Sequence, residues 1–219
     1  MLPENNASSP EKSPLLVLGT GNRKKRLELE QLLVGLPLRL ATLADFPDAL
    51  EVDETGTTFG ENAALKAGQQ ARHLKQWVLA EDSGLSVEAL GGAPGVWSAR
   101  YAGLPSNDER NNAKLMTELE GVPPERRHAW YTCYVCLANP AGEVVAQSVG
   151  ECHGRIVSER RGVSGFGYDP YFELPEYHLT FAELGLDVKG VLSHRARAIR
   201  MILPQLRACL GLGNNDVQR

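Results

Sequence analysis

The chain of 219 residues is predicted to fold as an α/β protein on a mixed sheet. Three observations support this: a short apolar run followed directly by an amphipathic helical stretch, two long adjacent strands that read as a hairpin, and a last helical stretch at the C-terminal end. The order β-α-…-α-β-…-ββ-…-α is that of a mixed sheet with helices on it. With 42% hydrophobic and 23% charged residues the composition is that of an ordinary soluble globule. The length fits one large domain or two lobes that share a sheet.

Leu15-Leu16-Val17-Leu18 reads as a buried first strand. A helix then starts near Asn22 or Arg23, with Leu29, Leu32, Leu33 and Leu36 on one face and Pro37 as its stop. A Gly/Thr loop over residues 54–60 leads to a second helix over 61–74, rich in Ala and Lys. Residues 77–80 read as a strand and 85–90 as a separate short one, and Gly91-Gly92-Ala93-Pro94-Gly95 is a break. Ser106-x-x-Glu109 reads as a capping box for a helix carrying Leu115, Met116 and Leu119. Residues 129–138 and 143–154 are strands joined by Asn139-Pro140-Ala141-Gly142. Ser193 caps a last helix with Ile199, Ile202, Leu203, Leu206 and Leu210 at helical spacing. Pro204 inside it costs about 3 kcal/mol in a regular interior, which predicts a kink or an early break.

The net charge of −4 argues against a nucleic-acid-binding surface. The local basic clusters Arg23-Lys24-Lys25-Arg26 and Arg195-Ala196-Arg197 fit a small anionic ligand, although a solvated helix face has the same composition. Residues 1–14, with Pro3, Pro10 and Pro14 among Asn, Ser, Glu and Lys, read as a disordered tail ahead of one domain over 15–219. The tail lacks the apolar stretch of a secretory signal, and no run of about 18 apolar residues exists for a membrane span. The expectation is a cytoplasmic protein with no membrane partner. Four cysteines fit a reduced compartment. Cys133-x-x-Cys136 lies on a strand, which sends its thiols to opposite faces, and the second pair of a zinc site is missing.

Four segments carry chemistry. In the first, Trp77-Val78-Leu79-Ala80 runs into Glu81-Asp82-Ser83-Gly84. Strand ends are where α/β proteins expose reactive groups. Two acids in a core cost free energy unless paired or bound to metal, and Mg²⁺ takes carboxylate oxygen and accompanies phosphates. Asp-Ser-Gly is equally turn chemistry, and the segment alone leaves both open. Glu54 supplies another carboxylate for a metal shared with Asp82, whereas Glu61 and Asn62 suit a helix start and Lys66 a surface position within reach of a phosphate.

The second segment, Thr20-Gly21-Asn22-Arg23-Lys24-Lys25, is a strand-to-helix turn whose free amides suit a phosphate. It is neither a Walker A loop nor a dinucleotide fingerprint, and ordinary helix capping accounts for the same residues. The third is Gly165-Phe166-Gly167-Tyr168-Asp169-Pro170, a tight loop. An exposed Phe there stacks on a base for about 1–3 kcal/mol; aromatic core filling beside a turn is the alternative. The fourth joins Lys189 to Ser193-His194-Arg195. Without a Gly-x-Ser-x-Gly elbow it gives no serine nucleophile. Lys189 and Arg195 read as ligand-binding cations and His194 as a positioning hydrogen bonder.

Together these segments resemble the noncanonical purine NTP pyrophosphatases, the inosine/xanthosine triphosphate pyrophosphatase family, over about residues 15–210. The resemblance is carried by Thr20-Gly21-Asn22-x-x-Lys25-x-x-Glu28 and Glu54-Thr55-Gly56-x-x-Phe59-x-Glu61-Asn62-Ala63. Glu81-Asp82-Ser83-Gly84-Leu85, residues 91–95, Ser98-Ala99-Arg100-Tyr101, Phe166-Gly167-Tyr168-Asp169-Pro170 and Ser193-His194-Arg195 follow in order. It implies a homodimer with an elongated mixed sheet and a nucleotide cleft between two lobes, and hydrolysis of ITP, dITP and XTP to the monophosphate and pyrophosphate. It further implies that Thr20 through Lys25 wrap the triphosphate, that Asp82 is the general base, and that Asp82 and Glu54 hold Mg²⁺. Ser83 is implied to contact the nucleotide, Phe166, Gly167, Tyr168, Asp169, His194 and Arg195 to form the base pocket, and Lys189 to lie near phosphate or base. Many bacterial members have Asp-Asp where this chain has Glu81-Asp82, which puts a metal role for Glu81 in doubt. The alternatives are a Maf-like pyrophosphatase of different base preference and a nucleotide-binding regulator without catalysis. A dinucleotide-dependent oxidoreductase lacks its glycine fingerprint here, and a Nudix hydrolase its Glu-rich helix.

Overall fold

A short apolar run can form a strand only where both faces are covered, and Leu15–Leu18 (β1) meets that condition with Leu16, Val17 and Leu18 fully buried. The computed structural model describes residues 13–213; of the expected tail, residues 1–12 lie outside them. Helix α1 (Arg23–Leu32) starts at the cap Asn22, as the sequence predicts. It stops before Pro37, because the chain turns at Gly35 with φ +82°. Leu36 is therefore off the helix but still packs against its core. Strand β2 (Arg39–Thr42), which the sequence reading lacks, pairs parallel with β1 as an edge strand. Helix α2 (Phe59–Leu74) begins two residues before the expected start, since Thr58 and Glu61 close a capping box.

The largest correction concerns β3 (Trp77–Val87), an unbroken strand of 11 residues through the acidic segment. The expected end at Ala80 and the separate strand over 85–90 do not exist. From Val78 to Val87 every residue pairs antiparallel with β4 (His128–Ala138), so the ladder satisfies that side of the backbone throughout. The other edge is paired with β1 only as far as Leu79. Glu81, Asp82 and Ser83 thus lie beyond the end of a neighbouring strand and not of their own. Gly84 is no turn residue: a Cβ there would sit 2.4 Å from Ser98 Oγ.

The β4–β5 hairpin (β5, Val144–Ile156) forms as expected. Strands β6 (Phe172–Leu174) and β7 (Leu179–Thr180) and helix α4 (Phe181–Leu192) are additions to the sequence reading. Helix α3 (Asp108–Glu118) is capped by Asn107 and not by Ser106, whose hydroxyl donates to the Ala99 carbonyl. Helix α5 (His194–Cys209) is capped by Ser193 and runs past Pro204 without the expected break. Burial of Ile199, Ile202 and Leu206 on its inner face offsets the lost hydrogen bond.

The seven strands form one mixed sheet in the order β2-β1-β3-β4-β5-β6-β7. Helices α1 and α5 cover one face around Leu79 and Val135, and α2 lays Ala63, Ala67 and Ala71 on Val78 and Ala80 of the other. Farther along the same long strands, Leu115 and Leu119 of α3 and Phe181 of α4 pack with Leu85, Tyr131 and Phe172. Cys133 and Cys136 fall into cores on opposite faces, and all four cysteines are free. Among the described residues no helix is long and apolar enough to cross a membrane.

Candidate active site

Because side chains alternate along a strand, the unbroken β3 sends its two carboxylates to opposite faces. Glu81 points toward α5 and Asp82 toward α2. Glu81 is 1% exposed and accepts from Arg195 Nε and Nη2 at 3.2 and 3.1 Å, with Lys25 Nζ at 3.4 Å. Burial alone would push its carboxyl up, but Arg195, Lys25 and Lys66 outweigh burial and hold it far below the carboxylate range. Asp82 accepts from Lys66 Nζ at 3.0 Å and Asn62 Nδ2 at 3.3 Å. For Asp82 burial wins, and its carboxyl is raised despite Lys66.

Lys66 is not on the surface. It also donates to Glu54 Oε1 at 3.1 Å, so two carboxylates converge on one ammonium. Burial works against that charge, yet Asp82, Glu81 and Glu54 together keep the lysine protonated. The sequence does hold a signal for it. Asn62, Lys66 and Gln70 recur every four residues beside the Ala63, Ala67, Ala71 stripe, a polar row on the buried face of α2. Arg100 adds a cation 3.8 Å from Glu54 Oε2. Among the described residues no three His, Cys, Asp or Glu side chains gather as a ready metal cage. The pair Asp82 and Glu54 nevertheless suits a hard cation: both already turn an oxygen to one positive centre, and Mg²⁺ commonly takes one or two carboxylates plus substrate phosphates.

A cavity of about 650 Å³ opens beside this pair, bordered by Thr20, Gly21, Asn22, Lys25, Glu54, Lys66, Asp82 and Ser83. The turn after β1 is fastened to β3, Gly19 N–H donating to the Leu79 carbonyl at 2.8 Å. Asn22 Oδ1 accepts from the amides of Lys24 and Lys25 at 3.0 and 3.2 Å, so capping takes two of the amides expected to face a phosphate. Arg23 is exposed and borders none of these cavities. Lys24 turns the other way, onto Asp108 at 2.8 Å and over the Phe166 ring.

A smaller pocket of about 90 Å³ adjoins this cavity and shares Asn22, Lys25 and Ser83 with it. Phe166 and Gly167 stand at its side, with Tyr168, Asp169, Lys189, His194 and Arg195 around it. Tyr168 is buried and donates its hydroxyl to the Ser98 carbonyl at 2.8 Å, as the core-filling alternative expects. Lys189 donates to Asp169 at 2.6 Å and pairs with Glu28 at 2.8 Å, its ammonium 4.4 Å from the Phe166 ring centre. Arg195 also donates to Glu28 Oε2 and, at 3.0 Å, to Ser83 Oγ, which leaves one Nη1 hydrogen without a partner. His194 stacks on Tyr131 at 4.6 Å, and burial pushes its imidazole well below the usual range, so the ring is neutral. Its Nδ1 has no hydrogen-bond partner. Glu28, which ties Lys189 to Arg195, was legible only as a motif position.

The chain is similar to known proteins in both sequence and fold. The sequence model of the Ham1 family matches residues 16–205. A Rhodopirellula baltica protein named dITP/XTP pyrophosphatase is 56% identical over 191 residues, 87% of this chain and 92% of its own length. The solved structure of a HAM1 protein from Coxiella burnetii superposes with a TM-score of 0.81 at 36% identity, covering 89% of this chain and 99% of that one. A nucleoside-triphosphatase / dITP/XTP pyrophosphatase from Mycobacterium abscessus gives 0.70 at 38% identity, covering 88% and 100%.

Proposed function

Since the chain belongs to the Ham1 family, we propose that it is a nucleoside triphosphate pyrophosphatase that hydrolyses ITP, dITP and XTP to the monophosphate and pyrophosphate. The observation that carries this proposal is the joined pair of cavities: a cation-lined cavity around Asp82 next to a pocket walled by Phe166 and a neutral imidazole.

In this reaction the triphosphate lies along Thr20, Asn22 and Lys25, with Lys66 at the carboxylates. Asp82 takes a proton from the water that attacks the α-phosphorus, and burial strengthens it as a base. Glu54 and Asp82 would hold Mg²⁺, which would supply positive charge against that developing on the leaving pyrophosphate. Glu81 faces away from this pair and is taken up by Arg195. The base stacks on Phe166. Its 6-oxo group accepts from the free Nη1–H of Arg195, where the 6-amino group of adenine would set donor against donor at a cost of about 1–3 kcal/mol. The expected domain over 15–219, of which residues 214–219 lie outside the described ones, is read as a single two-lobed unit that acts as a homodimer in the cytoplasm.

The test is to incubate the protein with Mg²⁺ and ITP, XTP, dITP, GTP or ATP and to chromatograph the products. IMP with pyrophosphate is the expected outcome. IDP with phosphate, or no turnover of any substrate, refutes the proposal.

A further inference from the structure

The segment Phe166-Gly167 is a thin partition. On one side lies the base pocket; on the other lies a cavity of about 610 Å³ bordered by Lys24, Asn112 and Tyr171, and Asp108 borders both. No helix or strand includes the partition. Gly167 sits at φ +60°, a conformation in which glycine is unstrained, so the backbone itself adds no stiffness. The Phe166 ring meets the ammonium groups of Lys189 and Lys24, 4.4 and 5.6 Å from its centre, but its backbone is hydrogen-bonded only within its own loop among the described residues. Its N–H donates to Asp169 Oδ2 at 2.8 Å, and its carbonyl accepts from the Asp169 amide at 3.2 Å.

Gly167 is bound across the cavity to α3. Its N–H donates to Asp108 Oδ2 at 3.0 Å, and its carbonyl accepts from Asn112 Nδ2 at 2.9 Å. Asp108 and Asn112 are four residues apart, one helical turn, which is why both reach the same residue. Asp108 stands in the first turn of α3, where the helix dipole favours a carboxylate, and the same oxygen takes Lys24. Asn112 Oδ1 is buried without a partner, so the amide is turned by its donor bond to Gly167 and gives up a bond at the other end.

We propose that Asp108 and Asn112 are positioning residues for base recognition: through Gly167 they hold the Phe166 ring where a purine stacks on it. This rests on the assignment of Phe166 as the stacking platform. Loss of either bond frees the partition to move into the outer cavity, and the affinity for the base falls while the phosphate subsites stay as they are.

The experiment compares Asp108→Ala, Asp108→Asn, Asn112→Ala and Asn112→Asp with the unmodified protein, each alone and in a Phe166→Ala background. It reads kcat and KM for ITP, the Ki of inorganic tripolyphosphate, and Tm. Expected is a three- to tenfold rise in KM for Asp108→Ala and both Asn112 variants, about the loss of one hydrogen bond, with kcat within about twofold and Ki unchanged. Asp108→Asn keeps an acceptor for the Gly167 amide and restores most of the KM. In the Phe166→Ala background none of the substitutions raises KM further, which loss of general stability would not produce. An unchanged KM in the single variants overturns the proposal, as does a fall in kcat with KM fixed, or a full additional rise on top of Phe166→Ala. If Phe166→Ala by itself leaves KM unchanged, the stacking assignment fails and this proposal with it; if the unmodified protein does not turn over ITP, the functional proposal fails separately.

Discussion

The two ends of the cleft treat charge in opposite ways. At the phosphate end Lys66, Asp82 and Glu54 border an open cavity, their side chains 13%, 7% and 29% exposed. At the base end Lys189, Asp169, Arg195 and Glu81 neutralise one another at 4% exposure or less. The first arrangement leaves charge available to an anion and a metal. The second consumes its charge as a scaffold and presents a phenyl ring, a neutral imidazole and single N–H groups. Asp82 and Glu81 are neighbours in sequence yet belong to different ends, because a strand turns consecutive side chains to opposite faces.

The sharpest way to break this contrast is to neutralise one carboxylate at the phosphate end. Asp82→Asn keeps the size of the side chain and removes the proton acceptor. The expected result is a fall in kcat of about 10²–10⁴, the usual contribution of a general base, with Tm almost unchanged. Steady-state kinetics with ITP and a thermal melt check both halves. Full activity in Asp82→Asn sinks its assignment as base.

That Asp82 and Glu81 differ was only half legible in the sequence. The motifs marked the segment, but the apolar run before it read as a strand that stops at the acids. Nothing local signals that β3 continues, since Glu81, Asp82, Ser83 and Gly84 are all poor strand residues, and the pairing partners that hold them lie some 50 residues away on β4. Lys66 was misplaced for a related reason: a lysine on an Ala-rich helix reads as solvent-facing until the acids it meets are known. Strand β2 and helix α4 were missed because one, with Arg39 and Thr42 around Leu40 and Ala41, lacks the all-apolar run that marks the equally short β1, and the other holds a non-helical Gly185 that breaks its periodicity. By contrast β1, the Asn22 cap, the hairpin and the start of α5 rest on local patterns, and the sequence located them to within one or two residues.

At the base end the same kind of substitution ought to damage stability before chemistry. Arg195→Ala leaves the buried Glu81 and the part-buried Glu28 without their guanidinium, and stranding a buried charge costs about 3–5 kcal/mol. The loss depends on pH in a definite direction. Arg195 lowers the Glu81 carboxyl in the folded protein, so its stabilisation is complete above the ordinary carboxylate range and is lost progressively as pH falls from there toward the far lower folded value. Urea unfolding at pH 7 and at pH 4 is expected to show a large difference between variant and parent at the first and a smaller one at the second. A loss below about 1 kcal/mol at pH 7 means that the base end is not a charge-paired scaffold.

The finest test concerns His194, an imidazole at the base end that the scaffold leaves uncharged. Burial is the main reason, and the nearby Arg195 and Lys189 add to it. An unfolded histidine takes up a proton below about pH 6.5, whereas the folded ring does not. The unfolded state then binds more protons, so stability falls as pH drops from 7 toward 5, by at most about 1.4 kcal/mol per pH unit for a single group. His194→Gln removes that part of the slope, whatever it does to stability at pH 7 through the lost stack on Tyr131. The exposed histidines 73, 128, 153 and 178 contribute alike to both proteins and cancel in the difference. Urea unfolding at half-unit steps from pH 7 to pH 5 is expected to give a flatter line for the variant. Equal slopes would mean that the folded ring carries a proton; the base end would then hold a free positive charge, and the division between a charged end and a neutral end would not stand.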